Sequence, residues 1–237
     1  MSTTEQGPGT GGARAANGTA NGTADGTPGG DVLDGRPASA AAWHAAGARG
    51  IADPGPLGLA GFGLTTFVLS LINAGLIPAD TEPVVLGLAL AYGGVAQFAA
   101  GMWEFRKGNT FGATAFTSYG AFWVSFWAYV AFYAHGIPAG DAGTATGWFL
   151  ISWGIFTTIM WFASLRTSAA LVVLFLLLAI TFYLLGAGEL AGSTGLAKTG
   201  GWFGIVTAAV AWYTCLAGVT ASTFGRQVLP NPSLARG

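Results

Sequence analysis

Six uncharged apolar stretches, each long enough to cross a bilayer, constrain this chain more than any other feature. They lie at about 57–77, 84–103, 112–134, 146–164, 168–188 and 200–221. About 20 helical residues cross the hydrocarbon core. Backbone polar groups must be satisfied internally there, which leaves helices or closed barrels. Barrel strands would be half as long and would alternate in polarity. The pattern therefore predicts an all-α membrane protein with six transmembrane helices. Charged residues make up 8% of the chain and apolar ones 52%, against about 25% charged in a typical globular domain.

The links carry most of the charge: Asp80 and Glu82; Glu104, Arg106 and Lys107; Asp141; Arg166; Glu189 and Lys198. The N-terminal tail, the second-to-third link, the fourth-to-fifth link and the C-terminal tail hold eight of the nine Lys and Arg. Lys198 stands alone on the other side. The positive-inside rule then puts both termini in the cytoplasm. Residues 1–38 are rich in Gly, Thr, Ala, Asn and Pro and almost lack large apolar side chains. Such a tail cannot offset its ordering entropy and is expected to be disordered. The Asn17 and Asn21 sequons within it read as spacer. No basic patch precedes a short apolar core, so no signal peptide is expected. Residues 39–50 are Ala-rich and suit an interfacial helix anchored by Trp43. The transporter domain is placed at 39–230 and a short C-terminal tail at 231–237.

The middles of the spans hold no Asp, Glu, Lys, Arg or His. No nucleophile–base pair is present, so an enzyme is not expected. His44 and His135 are too few and too far apart for a metal site, and no cofactor is expected. Net charge is −1 without a basic block, which argues against nucleic acid. Cys215 is single, which excludes an intramolecular disulfide. Small residues such as Gly58, Gly61, Gly63, Gly87, Gly94 and Gly101 suit close helix packing in lipid. Uncharged polar groups cluster. Thr65, Thr66, Ser70 and Asn73 fall mostly on one face of the first helix with Phe62. Gln97 is the one amide of the second helix. Thr114, Thr117, Ser118 and Ser125 make a stripe on the third. Hydroxyls and amides can solvate a small carboxylate or its neutral acid without holding it tightly. Interhelical hydrogen bonding is the competing use of such stripes.

At the start of the first span, Pro54 and Pro56 suit a first helical turn, and Asp53 is placed as its N-cap. The run Asp53-Pro54-Gly55-Pro56-Leu57-Gly58-Leu59 resembles the NPAPLGL signature of the acetate uptake transporter family, also called the succinate–acetate permease family. Tyr92 to Gln97, Gly101 to Gly112 and Thr114 to Gly120 resemble that family's second and third helices and their link. Phe224-Gly225-Arg226 and Val228-Leu229-Pro230 resemble its C-terminal end. The likeness covers about residues 51–230.

The resemblance implies six helices per subunit, a homo-hexameric ring with one pathway in each subunit, and uptake of acetate and related small carboxylates such as succinate. Transport coupled to protons and channel-like behaviour are both implied for such a protein. It also implies a hydrophobic constriction formed by Phe62, Tyr119 and Leu178, the last placed by spacing, and a selectivity position at Ala211. Substrate contacts are expected at Asp53, Thr65, Thr66, Asn73, Gln97, Thr114, Thr117 and Ser118. Where the family has Asn, this chain has Asp53. Protonated, it would donate to an entering carboxylate; ionised, it would repel one. The alternatives are a channel for ammonia or another small neutral solute, and a membrane sensor or scaffold that works through its tail.

Overall fold

Prolines or glycines mark every break between the six helices except the one at residues 165–168. The computed structural model describes residues 50–234. The tail expected to be disordered, the helix around Trp43, both sequons, and Arg14, Arg36, Arg49 and Arg236 of the charge count lie outside the described residues. The helices are α1 (Gly55–Asn73), α2 (Ala79–Lys107), α3 (Thr110–Ala128), α4 (Ala139–Ser164), α5 (Ala169–Ala191) and α6 (Thr194–Phe224). All but α3 are long and apolar enough to cross a membrane. Thr110, Thr114, Thr117, Ser118 and Ser125 dilute α3, which has the same 19 residues as α1. No extended sheet forms among the described residues.

The boundaries differ from the sequence reading chiefly at starts and ends. α4 begins at Ala139 and α6 at Thr194, each several residues before the apolar core. Both flanks are rich in Ala, Gly and Thr and continue the helix beyond the apolar core. Pro54 is the N-cap of α1, with Pro56 in its first turn. Asp53 thus sits one residue outside the cap. Its Oδ1 accepts the Gly55 N–H at 3.0 Å, so it closes the turn before the helix rather than capping it. Gly108 ends α2 in the left-handed conformation at φ 80°. Asn109 follows as N-cap of α3, its side chain accepting from the Gly112 N–H at 3.1 Å.

Packing follows a ring. α3 packs on α2, α2 on α1, α1 on α6, α6 on α5 and α5 on α4. Side chains complete it from α3 to α4: the Tyr119 ring lies against Trp153 and Phe156. Small residues set the close contacts. A Cβ built on Gly120 would come within 2.7 Å of the Phe98 backbone nitrogen, so α2 and α3 meet nearly backbone to backbone. The outer surface is apolar. On α4, Trp148, Ile155, Ile159 and Phe162 are all exposed at helical spacing, as a lipid-facing stripe requires. The inner cluster is aromatic and aliphatic: Phe62, Tyr119, Phe122, Trp123, Phe175, Leu178 and Phe182.

Candidate functional site

Two cavities lie within the ring. The larger, of about 470 Å³, opens beside the α1 start and the α2–α3 link. Its wall includes Asp53, Phe62, Gln97, Glu104, Lys107, Asn109, Tyr119 and Leu178. The smaller, of about 150 Å³, includes Phe62, Thr66, Asn73, Trp123 and Leu178, with Glu82 and Glu189 also on its wall. Phe62 and Leu178 are the residues that line both. They form the partition between the cavities. Tyr119 packs edge-on against Phe62 with ring centroids 6.0 Å apart. All three side chains are at most 5% exposed.

The partition is held from behind. Thr157 Oγ1 donates to the Trp153 carbonyl at 2.7 Å and lies 2.8 Å from Tyr119 Oη. A hydroxyl has one proton, so Tyr119 is the donor to Thr157. That bond ties the Tyr119 ring to α4.

The polar groups divide sharply. Gln97 is 1% exposed, lines the larger cavity and leaves its Oε1 without a hydrogen-bond partner. Ser168 Oγ is a second unpartnered buried oxygen on that wall. In the smaller cavity Thr66 Oγ1 and Trp123 Nε1 are unpartnered. Buried polar atoms without partners are rare. Four of the six such atoms among the described residues belong to residues that line the two cavities.

The expected contacts separate accordingly. Asp53 and Gln97 lie on the larger cavity; Thr66 and Asn73 lie on the smaller. Thr65, Thr114, Thr117, Ser118 and Ala211 line neither. Thr65 Oγ1 donates back to the Gly61 carbonyl at 2.9 Å. The Thr117 side chain sits over Gly101 of α2, at a helix–helix contact. Thr114 and Ser118 are half-buried on α3. Ala211 is fully buried in the core cluster.

Asp53 is not free at the mouth of the larger cavity. Its Oδ1 is 2.8 Å from Lys107 Nζ as well as accepting the Gly55 N–H. With both partners about half exposed, the pair contributes about 0–1 kcal/mol. Sequence reasoning missed Glu104 as a cavity residue. It is 1% exposed, and its Oε2 accepts from Asn109 Nδ2 at 2.8 Å. It missed Trp123 and the C-terminal segment too: Gln227, Leu229 and Asn231 reach the larger cavity. Glu104 lies one residue past the apolar stretch 84–103 and reads as part of a link, whereas α2 continues to Lys107 and carries Glu104 on the helix. Gln97 follows a widened helical turn at Ala91–Ala96. Such turns frequently accompany functional positions in helices.

A helical ring with two inner cavities, an apolar partition between them and an apolar exterior defines a polytopic membrane protein. The chain belongs to the GPR1/FUN34/yaaH family, whose model matches residues 37–235. It is 44% identical over 200 residues to acetate permease A of Emericella nidulans, covering 77% of this chain and 66% of that protein. The chain thus spans just under two thirds of that relative's length. It is 41% identical over 180 residues to the succinate-acetate/proton symporter SatP of Escherichia coli, covering 76% of this chain and 95% of that one. A solved structure of the bacterial acetate channel SatP superposes with a TM-score of 0.72 at 40% identity, covering 77% of this chain and 99% of that one.

Proposed function

We propose that this protein transports acetate and related small carboxylates across the membrane, with the proton moving in the same direction as the substrate. The observation that carries this is the pair of cavities meeting at Phe62 and Leu178, with unpartnered polar atoms on each side. Gln97 and Ser168 on one side, Thr66 and Trp123 on the other, replace part of the water a carboxylate or its acid gives up. The Gln97 amide donates through its NH₂ and accepts through Oε1, so it serves the anion and the neutral acid alike.

The partition of Phe62, Tyr119 and Leu178 offers no hydrogen bond to a passing solute. Desolvating an isolated carboxylate in apolar surroundings is far more expensive than desolvating a neutral acid, which loses only a few hydrogen bonds. The species that crosses the partition is therefore the acid. The relatives' names support the substrate class, and the charge bias of the links supports an inner-membrane protein with cytoplasmic termini. A homo-hexamer follows from the family resemblance, each subunit holding its own pathway.

Uptake of labelled acetate into proteoliposomes, with and without an inward proton gradient, tests the reading. Accumulation above the external level that collapses with a protonophore is the expected result. Equilibration at the same rate without a gradient removes the coupling. Flux no greater than in protein-free vesicles removes the transport function, and then labelled ammonium and partner capture by the tail become the next assays. A native mass six times that of the chain checks the assembly.

A further inference from the structure

We infer that Glu104 is the residue that takes the proton from the substrate on the side of the larger cavity; this rests on the transport reading above. Glu104 is a fully buried carboxyl on the wall of the cavity that leads to the partition. Its two oxygens are in different situations. Oε2 is fixed by Asn109 Nδ2 at 2.8 Å. Oε1 accepts no hydrogen bond among the described residues and lies beside the α1 start, where a Cβ built on Gly55 would come within 3.5 Å of it. One oxygen is therefore anchored and the other is open to exchange a proton.

The surrounding groups leave this task to Glu104. On the α1 side the titratable group is Asp53, already bound to Lys107 at 2.8 Å. On its own helix, Lys107 is engaged in that pair and Arg106 is exposed. α3 brings Asn109 and, further in, Tyr119, which is tied to Thr157. The cavity-lining residues of α5 and α6, and Gln227, Leu229 and Asn231 of the C-terminal segment, are uncharged. Glu82 and Glu189 belong to the other cavity.

The step balances as follows. The neutral acid, having crossed the partition, donates its O–H proton to the Glu104 carboxylate. The substrate leaves as its anion. Protonated Glu104 then releases the proton to water at the Asp53–Lys107 mouth. Each cycle moves one anion and one proton, hence no net charge, and the reverse order serves export.

The test follows initial acetate flux in proteoliposomes while the pH on the larger-cavity side is varied and the pH on the other side is held fixed. Wild-type flux is expected to fall as that side is acidified and Glu104 stays protonated. In E104Q the amide oxygen still accepts from Asn109, so the local fold is kept, but no proton can be taken. Its flux is expected to be lower than wild type and to lose that pH dependence. An E104Q profile that matches wild type overturns the inference. E104D keeps a titratable carboxyl and is expected to keep the dependence at a reduced rate; loss of the dependence there, as in E104Q, also overturns it. Wild-type flux without the dependence overturns the inference while leaving the transport function standing. Absence of wild-type flux above protein-free vesicles overturns the transport function itself.

Discussion

Gln97 shows how a residue can work against the fold and for the pathway. Its buried Oε1 has no partner, and leaving such a group unmade costs about 1–3 kcal/mol. Gln97→Leu keeps the bulk and removes the orphan, so the melting temperature in detergent should rise or hold. Transport should fall, because a hydrogen bond to a charged group contributes about 1.5–3 kcal/mol, or roughly tenfold to a hundredfold in apparent affinity. Measuring both properties on one preparation separates the two effects. A variant that is destabilised and transports normally would mean that Gln97 is a packing residue. Leu178 makes the complementary case. It bounds both cavities, and Leu178→Ala joins them. Core Leu→Ala changes typically cost 2–5 kcal/mol, and this wall position should fall near the lower end of that range. The ratio of butyrate to acetate flux should rise. An unchanged ratio would place the selective narrowing elsewhere.

At the scale of elements, the C-terminal segment is the part least expected from sequence. It folds back onto the α4–α5 link. Pro232 O accepts from the Ala169 N–H at 3.1 Å and Asn231 Oδ1 from the Ala170 N–H at 3.3 Å. The first N–H groups of a helix have no partner of their own, and Ser168 does not cap α5. The segment does that job from a distance. Tyr213 Oη holds it by donating to the Pro230 carbonyl at 2.6 Å. Tyr213→Phe removes that bond, whose net contribution is about 1 kcal/mol. Hydrogen exchange at Leu234, whose N–H is bonded to the Thr167 carbonyl at 2.8 Å, should then speed up by about fivefold. No change in that rate would mean that the segment is held by its other contacts alone. Span number and length were legible because apolar length is a direct demand of the bilayer. The polar stripes were less so. Thr65, Thr157, Thr181, Thr207 and Thr214 each donate to the carbonyl four residues back. A hydroxyl satisfied by its own helix can face packing, lipid or cavity, so its position on a helical wheel says little about a pathway. Gln97 and Trp123 stood a better chance, since neither is satisfied by the turn that carries it. The widened turn before Gln97 also changes the face that residue occupies, which a 100° periodicity does not include.

For the whole molecule, the decisive fact is where the pathway begins and ends. The residues that line the two cavities all lie between Asp53 and Asn231. The ring that positions them begins at α1 and closes between α3 and α4. Residues 1–38 lie outside the described residues, and their Gly- and Thr-rich composition gives them little apolar surface to bury. If the protein is a transporter, deleting 1–38 should leave acetate flux and its response to a proton gradient unchanged. If it acts as a scaffold through that tail, the deletion should abolish its partner binding, and acetate flux would be absent in the intact chain as well. The comparison is made on the same reconstituted preparations, with monodispersity in detergent as the folding check. A monodisperse Δ1–38 protein that has lost flux would show that the tail takes part in transport, and that the six-helix ring is not sufficient for it.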